Sequence, residues 1–271
     1  MNDFYKQPKA LVWIESILFL LAGFFIAVLI IEKGYDQPLY YLAFVLYVPI
    51  SQFLYTPLFT LTGGYTYYSP MLLGYMANEK QIDLHSGTGF DHLFVLRKIK
   101  PGVELRNRLL AYHVEGLLHI ISQIENKQIS ESVTIVGTSY FFNERTLHKL
   151  GFQIEKASTF YRANLFINFI DLFWMYSLSR GKVSMPALWD AKKASIQGSA
   201  LVGQKNNLAA LYGKLNTKKG WNVSPLKIGY AITPSSFPTS VKAAIAWSNC
   251  SRVCPAEIWT RILAWPLATT G

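Results

Sequence analysis

Two long apolar runs at the amino-terminal end constrain this chain more than any other feature. The first covers residues 10–31 and has Glu15 and Ser16 as its polar interruptions, and the second covers residues 39–61. At about 1.5 Å of rise per residue, each run is long enough as a helix to cross a hydrocarbon layer of about 30 Å. The first run also lacks the small-residue cleavage site of a secretory signal. We therefore expect a hairpin of two transmembrane helices; the alternative is a buried hairpin in a large soluble core.

Charge is distributed unevenly along the chain. The formal net charge is +10, and the charged fraction of 15% is low beside the roughly 25% of an average soluble domain. Most of the excess positive charge lies after the apolar runs. Near the ends of the runs, Lys6, Lys9 and Lys80 lie on one side, whereas Lys33 lies in the connecting loop. Because lysine and arginine favour the cytoplasmic side, the sequence predicts a multi-pass protein of the cell membrane with both termini in the cytoplasm.

The segment after the runs has the alternating pattern of an α/β domain. Its expected strands are three short apolar runs, at residues 91–99, 133–136 and 152–156. Residues 103–126 have apolar side chains at helical spacing and predict a long helix. A short helix is expected at residues 143–150, followed by Gly151 in the position that often ends a helix. This order predicts a membrane-anchored, mixed-sheet α/β domain over residues 76–182.

The segments on either side of this domain have their own patterns. Residues 62–75 contain turn residues and are expected to form an interfacial connector after the two spans. Residues 163–180 fit a core strand, a core helix or an interfacial helix, and these alternatives stay open. Residues 183–220 are predicted to be a helical extension. Residues 221–271 hold four tryptophans and five prolines without sustained periodicity, so we expect an irregular and poorly ordered tail.

The densest group of chemically active side chains lies at residues 83–92. Histidine titrates near neutral pH, carboxylates accept protons, and glycines let a ligand approach the backbone, so this segment suits acid–base chemistry. His85 and Asp91 are the catalytic residues that it predicts. The alternative is an ordinary turn, because turns use the same residue types.

Neither a metal site nor nucleic-acid binding is expected. His113 and His119 share the long helix but are six residues apart, whereas two zinc ligands on one helix face are four apart. The cations are scattered, and no Walker loop, dinucleotide fingerprint or nucleic-acid-binding motif accompanies them. In a domain held at a membrane, the same charge indicates attraction to anionic lipid headgroups.

The segment Asn143–Lys156, with the sequence NERTLHKLGFQIEK, resembles the closing motif of the GNAT N-acyltransferase superfamily. In that motif a short helix ends in Lys-Leu-Gly-Phe and continues into a strand. The order of elements over residues 91–171 is also similar to the later part of that fold. The resemblance implies a GNAT-like order of strands and helices. It also implies transfer of an acyl group from a CoA or carrier thioester to an amine or lipid-like acceptor.

The resemblance further implies where acyl-CoA binds. The loop before the long helix corresponds to the pyrophosphate-binding loop, with these binding residues: Arg97, Lys98, Lys100 and Gly102. The loop departs from the family pattern, which has paired small residues there, but cations and helix N-terminal amides also attract phosphate. The tyrosine that often serves as general acid corresponds to Leu147, so Tyr140 is the nearest residue for that role. The alternative function is a non-catalytic membrane protein whose basic domain binds anionic lipid or a protein partner.

Overall fold

Two antiparallel helices begin the fold. The structure is a computed structural model that describes residues 2–139 and 144–217. It opens with a 3₁₀ turn at Asp3–Lys6, and α1 then covers Lys9–Asp36. A second 3₁₀ turn at Pro38–Leu42 leads into α2 at Ala43–Leu61. Within the described residues, Lys9–Asp36 and Pro38–Leu61 are the two helical segments long and apolar enough to cross a membrane. The prediction of two apolar N-terminal helices is thus confirmed.

Glycines of α1 let tyrosines of α2 and of the preceding 3₁₀ turn approach closely. A Cβ atom on Gly23 would lie 2.6 Å from Tyr55 Cε1, and a Cβ on Gly34 would lie 2.4 Å from Tyr41 Cε1. Tyr47 Oη donates a hydrogen bond to the Gly23 carbonyl oxygen at 2.9 Å. The missing side chains of these glycines leave room for the tyrosine rings, which helps the two helices to pack together.

A six-stranded mixed sheet follows the hairpin. Its strands are β1 (Tyr65–Ser69), β2 (Leu72–Tyr75), β3 (Gln81–Ser86), β4 (Thr134–Ser139), β5 (Gln153–Lys156) and β6 (Lys192–Gln197). Their order in the sheet is β1-β2-β3-β4-β6-β5. The β3–β4 pair is parallel, and the other neighbouring strands are antiparallel. The prediction of a mixed α/β sheet domain is confirmed at this level.

The helices of the domain lie between and after these strands. They are α3 (Gly89–Asp91, continued by a π-helical turn at His92–Leu96), α4 (Val103–Glu125), α5 (Glu144–Lys149), α6 (Thr159–Ile167), α7 (Phe169–Arg180), α8 (Gly198–Gly203) and α9 (Lys205–Thr217). The long helix α4, the short helix α5 and the strand after it agree with the sequence predictions. Gly151, with φ +78°, follows α5 as expected.

The main hydrophobic core lies between α4 and one face of the sheet. The strands contribute Ile82, Ile135 and Ile196, and α4 contributes Ile120 and Ile121. α8 and α9 close this core with buried leucines. We call this side of the sheet the core face. The opposite face meets the end of α2 and helix α6.

The expected strand at residues 91–99 is helical, which corrects the prediction. Thr88 and Asp91 form a capping box at the start of α3, so the backbone turns into a helix there. Apart from the exposed Leu93, the apolar side chains of this run are nonetheless buried or partly buried, and Phe94 packs with the neighbouring Phe90 against Phe4 of the N-terminal turn. A short apolar run is compatible with a buried strand or a buried helix, and periodicity alone does not separate them.

Two domain boundaries also need correction. Residues 65–75, expected in an interfacial connector, form the β1–β2 hairpin of the sheet. The predicted helical extension contains β6, which inserts between β4 and β5. Ala194 and Ile196 alternate into the core along this strand, a pattern of only six residues. Residues 163–180, left open by the sequence, form most of α6 and all of α7. The predicted tail at 221–271 lies outside the described residues.

Candidate functional site

Three polar side chains meet on the face of the sheet opposite the core face. Side chains alternate along β3, so Ile82 and Leu84 pack with the core while Asp83 and His85 lie on the opposite face. Tyr161 of α6 donates a hydrogen bond from Oη to Asp83 Oδ2 at 3.0 Å. His85 Nε2 lies 3.4 Å from the same oxygen. We call Asp83, His85 and Tyr161 the acid–base cluster.

Several polar atoms at this cluster lack a hydrogen-bond partner. Within the described part of the chain, Asp83 Oδ1, His85 Nε2 and Thr138 Oγ1 are buried and make no hydrogen bond, although His85 Nε2 lies close enough to Asp83 Oδ2 for an ion pair when the ring is protonated. The parallel register pairs Leu84 with Gly137, so the next residues, His85 and Thr138, are neighbours on one face. A buried polar group without a partner costs about 1–3 kcal/mol. Three such atoms on one patch make it the candidate location for a polar ligand.

The location of the cluster in the sheet supports this interpretation. His85 and Thr138 lie near the carboxyl ends of the two parallel strands β3 and β4. In open α/β sheets, ligands bind outside the carboxyl ends of parallel strands. The sequence predicted that the second strand ends at Val136; instead it continues through Ser139. That extension brings Thr138 onto the sheet beside His85.

Asp91, the second predicted catalytic residue, belongs to a different network. Its side chain is fully buried, and its hydrogen-bond donors within the described residues are Tyr67, the backbone and hydroxyl of Thr88, and Asn2. Burial raises the pKa of Asp91 to about 6, although these hydrogen bonds lower it. None of these contacts involves His85. The geometry of Asp91 is that of a helix cap joined to β1 and the N-terminal turn.

A serine–histidine pair occupies the core-face side of the end of β3. Ser86 Oγ lies 3.0 Å from His113 Nε2, and His113 Nδ1 lies 2.7 Å from the Leu109 carbonyl oxygen. Burial lowers the pKa of His113, so the neutral ring donates from Nδ1 and accepts at Nε2. Such a pair can activate a hydroxyl. However, the N–H of Gly87, which follows Ser86, already donates to the Met71 carbonyl oxygen at 3.0 Å and offers no oxyanion contact.

The predicted phosphate loop lies away from the acid–base cluster. Arg97, Lys98 and Lys100 are exposed there. Gly102 has φ +99°, and its N–H donates to the Leu178 carbonyl oxygen at 2.7 Å, so this amide is already used. α4 begins at Val103, ten residues before the histidine that meets the end of β3, which corresponds to about 15 Å along the helix. The structure therefore brings none of the loop residues to His85.

The hydroxyl of the cluster belongs to Tyr161, a residue that the sequence analysis did not identify. Tyr140, predicted for that role, lies outside the described residues. Tyr161 is separated from its partner Asp83 by 78 residues, and no local pattern signals that contact. Asp83 had a detectable signal, because it lies two residues before His85 and would share its face on a strand. Thr138 lies just beyond the strand predicted at residues 133–136.

The described residues hold no group of three or more His, Cys, Asp and Glu side chains that could bind a metal ion. Comparisons of the chain with protein-family models, with curated proteins and with solved structures found no match.

Proposed function

We propose that this chain is a membrane-anchored N-acyltransferase that moves an acyl group from a CoA or carrier thioester to an amine. α1 and α2 anchor the domain in the cell membrane, with both termini in the cytoplasm. The observation that carries the proposal is the acid–base cluster, whose buried and unpartnered polar atoms lie at the carboxyl ends of the parallel strands. A histidine, a carboxylate and a tyrosine hydroxyl in contact are the groups that proton transfer to and from a substrate requires.

The chemistry assigns one role to each side chain. The amine nitrogen attacks the thioester carbonyl carbon, the carbon–sulfur bond breaks, and an amide and a thiol result. His85 takes the proton that the amine loses. Asp83, at 3.4 Å from Nε2, stabilises the imidazolium that forms. The leaving thiolate takes up a proton from the Tyr161 hydroxyl, and the proton that His85 accepted restores this hydroxyl, so the cluster ends as it began.

The order of the elements also supports the proposal. With α3 inserted between β3 and α4, the elements β3, α4, β4, α5 and β5 occur along the chain in the order that the GNAT resemblance implies. β3 takes the place of the strand that was expected at residues 91–99. Arg97, Lys98 and Lys100 remain the proposed phosphate contacts of the donor. Their distance from the cluster means that only an extended donor can reach both.

A second candidate function rests on the same cations. Arg97 and Lys98 lie near the Asp3–Lys6 turn. Because they are close, their positive charges, after that of Lys6, help to lower the pKa of Asp3. This places a group of exposed cations at the end of the hairpin next to the domain. Such a group attracts anionic lipid headgroups. The chain would then be a non-catalytic membrane protein that binds lipid.

The purified full chain in lipid nanodiscs tests the first function. Acetyl-CoA and palmitoyl-CoA serve as donors, an amine as acceptor, and the released thiol is measured. We expect His85→Gln and Asp83→Asn to lower the rate by about 10²-fold or more. His148→Gln, an exposed histidine of α5, is the matched control and should leave the rate unchanged. Equal rates for His85→Gln and His148→Gln would overturn the proposed role of the cluster.

The second function makes a different prediction in the same system. Association of the chain's domain face with anionic lipid should depend on salt and should weaken when Arg97, Lys98 and Lys100 are replaced by serine. It should not respond to His85→Gln. Salt-sensitive lipid binding without thiol release from either donor would favour this function over acyl transfer.

A further inference from the structure

Between Arg162 of α6 and Arg180 of α7, the two helices present an apolar surface without exposed charge. Ala163, Phe166 and Ile167 are exposed on α6 at spacings of three and four residues, which places them on one side of the helix. Between Ala163 and Ser179 the one charged side chain is Asp171, which is buried and accepts a hydrogen bond from Trp174 Nε1 at 2.7 Å. A water-facing helix pair normally has charged residues on its outer side.

Trp189 extends this surface. Its ring lies 4.5 Å from the ring of Phe166, and 73% of its surface is exposed. We call Ala163, Phe166, Ile167 and Trp189 the apolar patch. Patches of exposed aromatic and aliphatic side chains mark interaction surfaces for membranes or proteins. The position of the patch beside the hairpin decides whether a membrane or a protein contacts it.

The hairpin allows the depth of the patch to be worked out. Gly23 of α1 faces Tyr47 and Tyr55 of α2, so Gln52 lies at the level of Gly23. Gln52 Nε2 in turn donates a hydrogen bond to Asn168 Oδ1, at the junction of α6 and α7. The apolar patch therefore begins at the level of Gly23, not at the end of the hairpin.

The charged tip of the hairpin relates this level to a bilayer. Glu32, Lys33 and Asp36 lie at the tip, and charged side chains avoid the hydrocarbon layer. Gly23 is ten residues from Lys33, or about 15 Å along α1, which is about half of a 30 Å hydrocarbon layer. If the tip lies at one surface of the bilayer, the α6–α7 junction lies inside its apolar layer.

The exposure of α2 agrees with this placement. The exposed large apolar residues of α2 are Val45, Leu46 and Ile50, all in its first half. In its second half Thr56 and Thr60 are buried, and α3, β1 and α7 pack against α2. In a bilayer, lipid would contact the second half of α2 if these elements did not cover it. The elements that cover it therefore lie at the depth of the lipid.

We propose that the apolar patch is embedded among the lipid acyl chains of the leaflet next to the domain, and that the acid–base cluster takes its amine from an amphiphile of that leaflet. The second part rests on the proposed acyltransferase function. Tyr161 of the cluster and Ile167 of the patch are on the same helix, six residues or about 9 Å apart. A lipid whose chains contact the patch would bring its polar headgroup toward His85.

Thiol labelling in nanodiscs tests whether the patch is embedded among the lipid acyl chains. Ile167→Cys is compared with Asn126→Cys, at the exposed end of α4, both in a chain carrying Cys250→Ser and Cys254→Ser. A polar maleimide should label position 167 at least tenfold more slowly than position 126, and the two rates should become similar in denaturing detergent. In water, Ile167 would be half exposed and reactive. Similar labelling rates at the two positions in nanodiscs would overturn the proposal that the patch is embedded among the acyl chains.

The substrate class needs a separate measurement. The same chain is given acyl-CoA with phosphatidylethanolamine in the nanodisc or with free ethanolamine in solution. We expect acyl transfer to the lipid amine and at least tenfold less to ethanolamine. Comparable transfer to ethanolamine would overturn the membrane substrate while leaving acyl transfer intact. Absence of transfer to both amines would overturn the proposed function and the substrate class together. The labelling result decides independently whether the patch is embedded in the lipid.

Discussion

Tyr67 Oη lies 3.0 and 2.9 Å from the two carboxyl oxygens of Asp91, so one phenolic proton is shared between them. The contact joins β1 to α3, and Asn2 adds a donor from the N-terminal turn. Three separate parts of the chain therefore converge on one carboxyl that has no exposed surface. His92, the next residue, is also buried, and the two side chains give the fold opposite responses to pH.

Asp91 should make the fold less stable as the pH rises. Burial raises its pKa from 3.8 to about 6, so the folded chain binds this proton more tightly than the unfolded chain. Its contribution is fully present below pH 4 and is lost as the pH rises to about 6, a change of about 3 kcal/mol. Asp91→Asn removes this titration. In detergent, unfolding measured from pH 4 to pH 7 should show the variant gaining stability relative to the native chain; parallel profiles would contradict the shift.

His92 should act in the opposite direction. Burial lowers its pKa from 6.5 to about 4, and its Nε2 atom lacks a hydrogen-bond partner within the described residues. The unfolded chain binds this proton more tightly, so stability rises by about 3 kcal/mol between pH 4 and pH 6.5. His92→Gln should therefore lose stability with rising pH relative to the native chain. Because the effects of Asp91 and His92 nearly cancel, the native profile alone should be flatter than that of either variant.

Two helical glycines should respond oppositely to the same substitution. A Cβ atom on Gly116 of α4 would lie 2.5 Å from Leu72 Cδ2 and 3.0 Å from Leu72 Cβ, and Leu72 is buried on β2. Gly116→Ala should destabilise the fold by about 1–3 kcal/mol through overpacking. Gly213 of α9 has no atom within 4 Å of such a Cβ, so Gly213→Ala should stabilise by up to about 1 kcal/mol. Thermal unfolding of both variants checks the contrast, and a stable Gly116→Ala chain would contradict the packing of α4.

The pair Gln52–Asn168 should couple the hairpin to the domain. Each side chain is polar and partly buried, and the two are joined by a hydrogen bond between α2 and the α6–α7 junction. In an apolar environment such a bond contributes about 0.6–1.7 kcal/mol. A double-mutant cycle with Gln52→Leu and Asn168→Leu should show a coupling of that size. Additive effects of the two substitutions would show that the side chains act independently.

The long elements were predictable because their patterns repeat many times. α1, α2 and α4 each contain about 20 residues or more, so a continuous apolar run or a helical spacing stands out in the sequence. β2 and β6 contain four and six residues, too few for an alternating pattern to be distinctive. Their strand state depends on pairing with neighbours elsewhere in the chain. The apolar run at residues 91–99 is mostly buried or partly buried as expected, but its predicted conformation was wrong because the capping contacts of α3 outweighed strand preference.

The residues of the candidate site were likewise predictable from the sequence only in part. His85 was predicted from the local density of titratable residues, and Asp83 shares its face because side chains alternate along a strand. Asp91 belongs to the same dense segment, yet the turn at Thr88 points it into the network of Tyr67. The contact of Tyr161 with Asp83 depends on the path of the chain through α4, β4 and β5.

The sequence by itself determined the apolar hairpin, the long helix and the basic α/β segment, because hydrophobic periodicity acts locally along the chain. Tertiary structure alone decided which polar groups meet. Hydrogen bonds such as that from Tyr161 to Asp83 join residues far apart in sequence, and their geometry is set by the order of strands in the sheet and by the helices packed on each face. The same packing brought Asn168 to Gln52 and so related the depth of the domain to the hairpin.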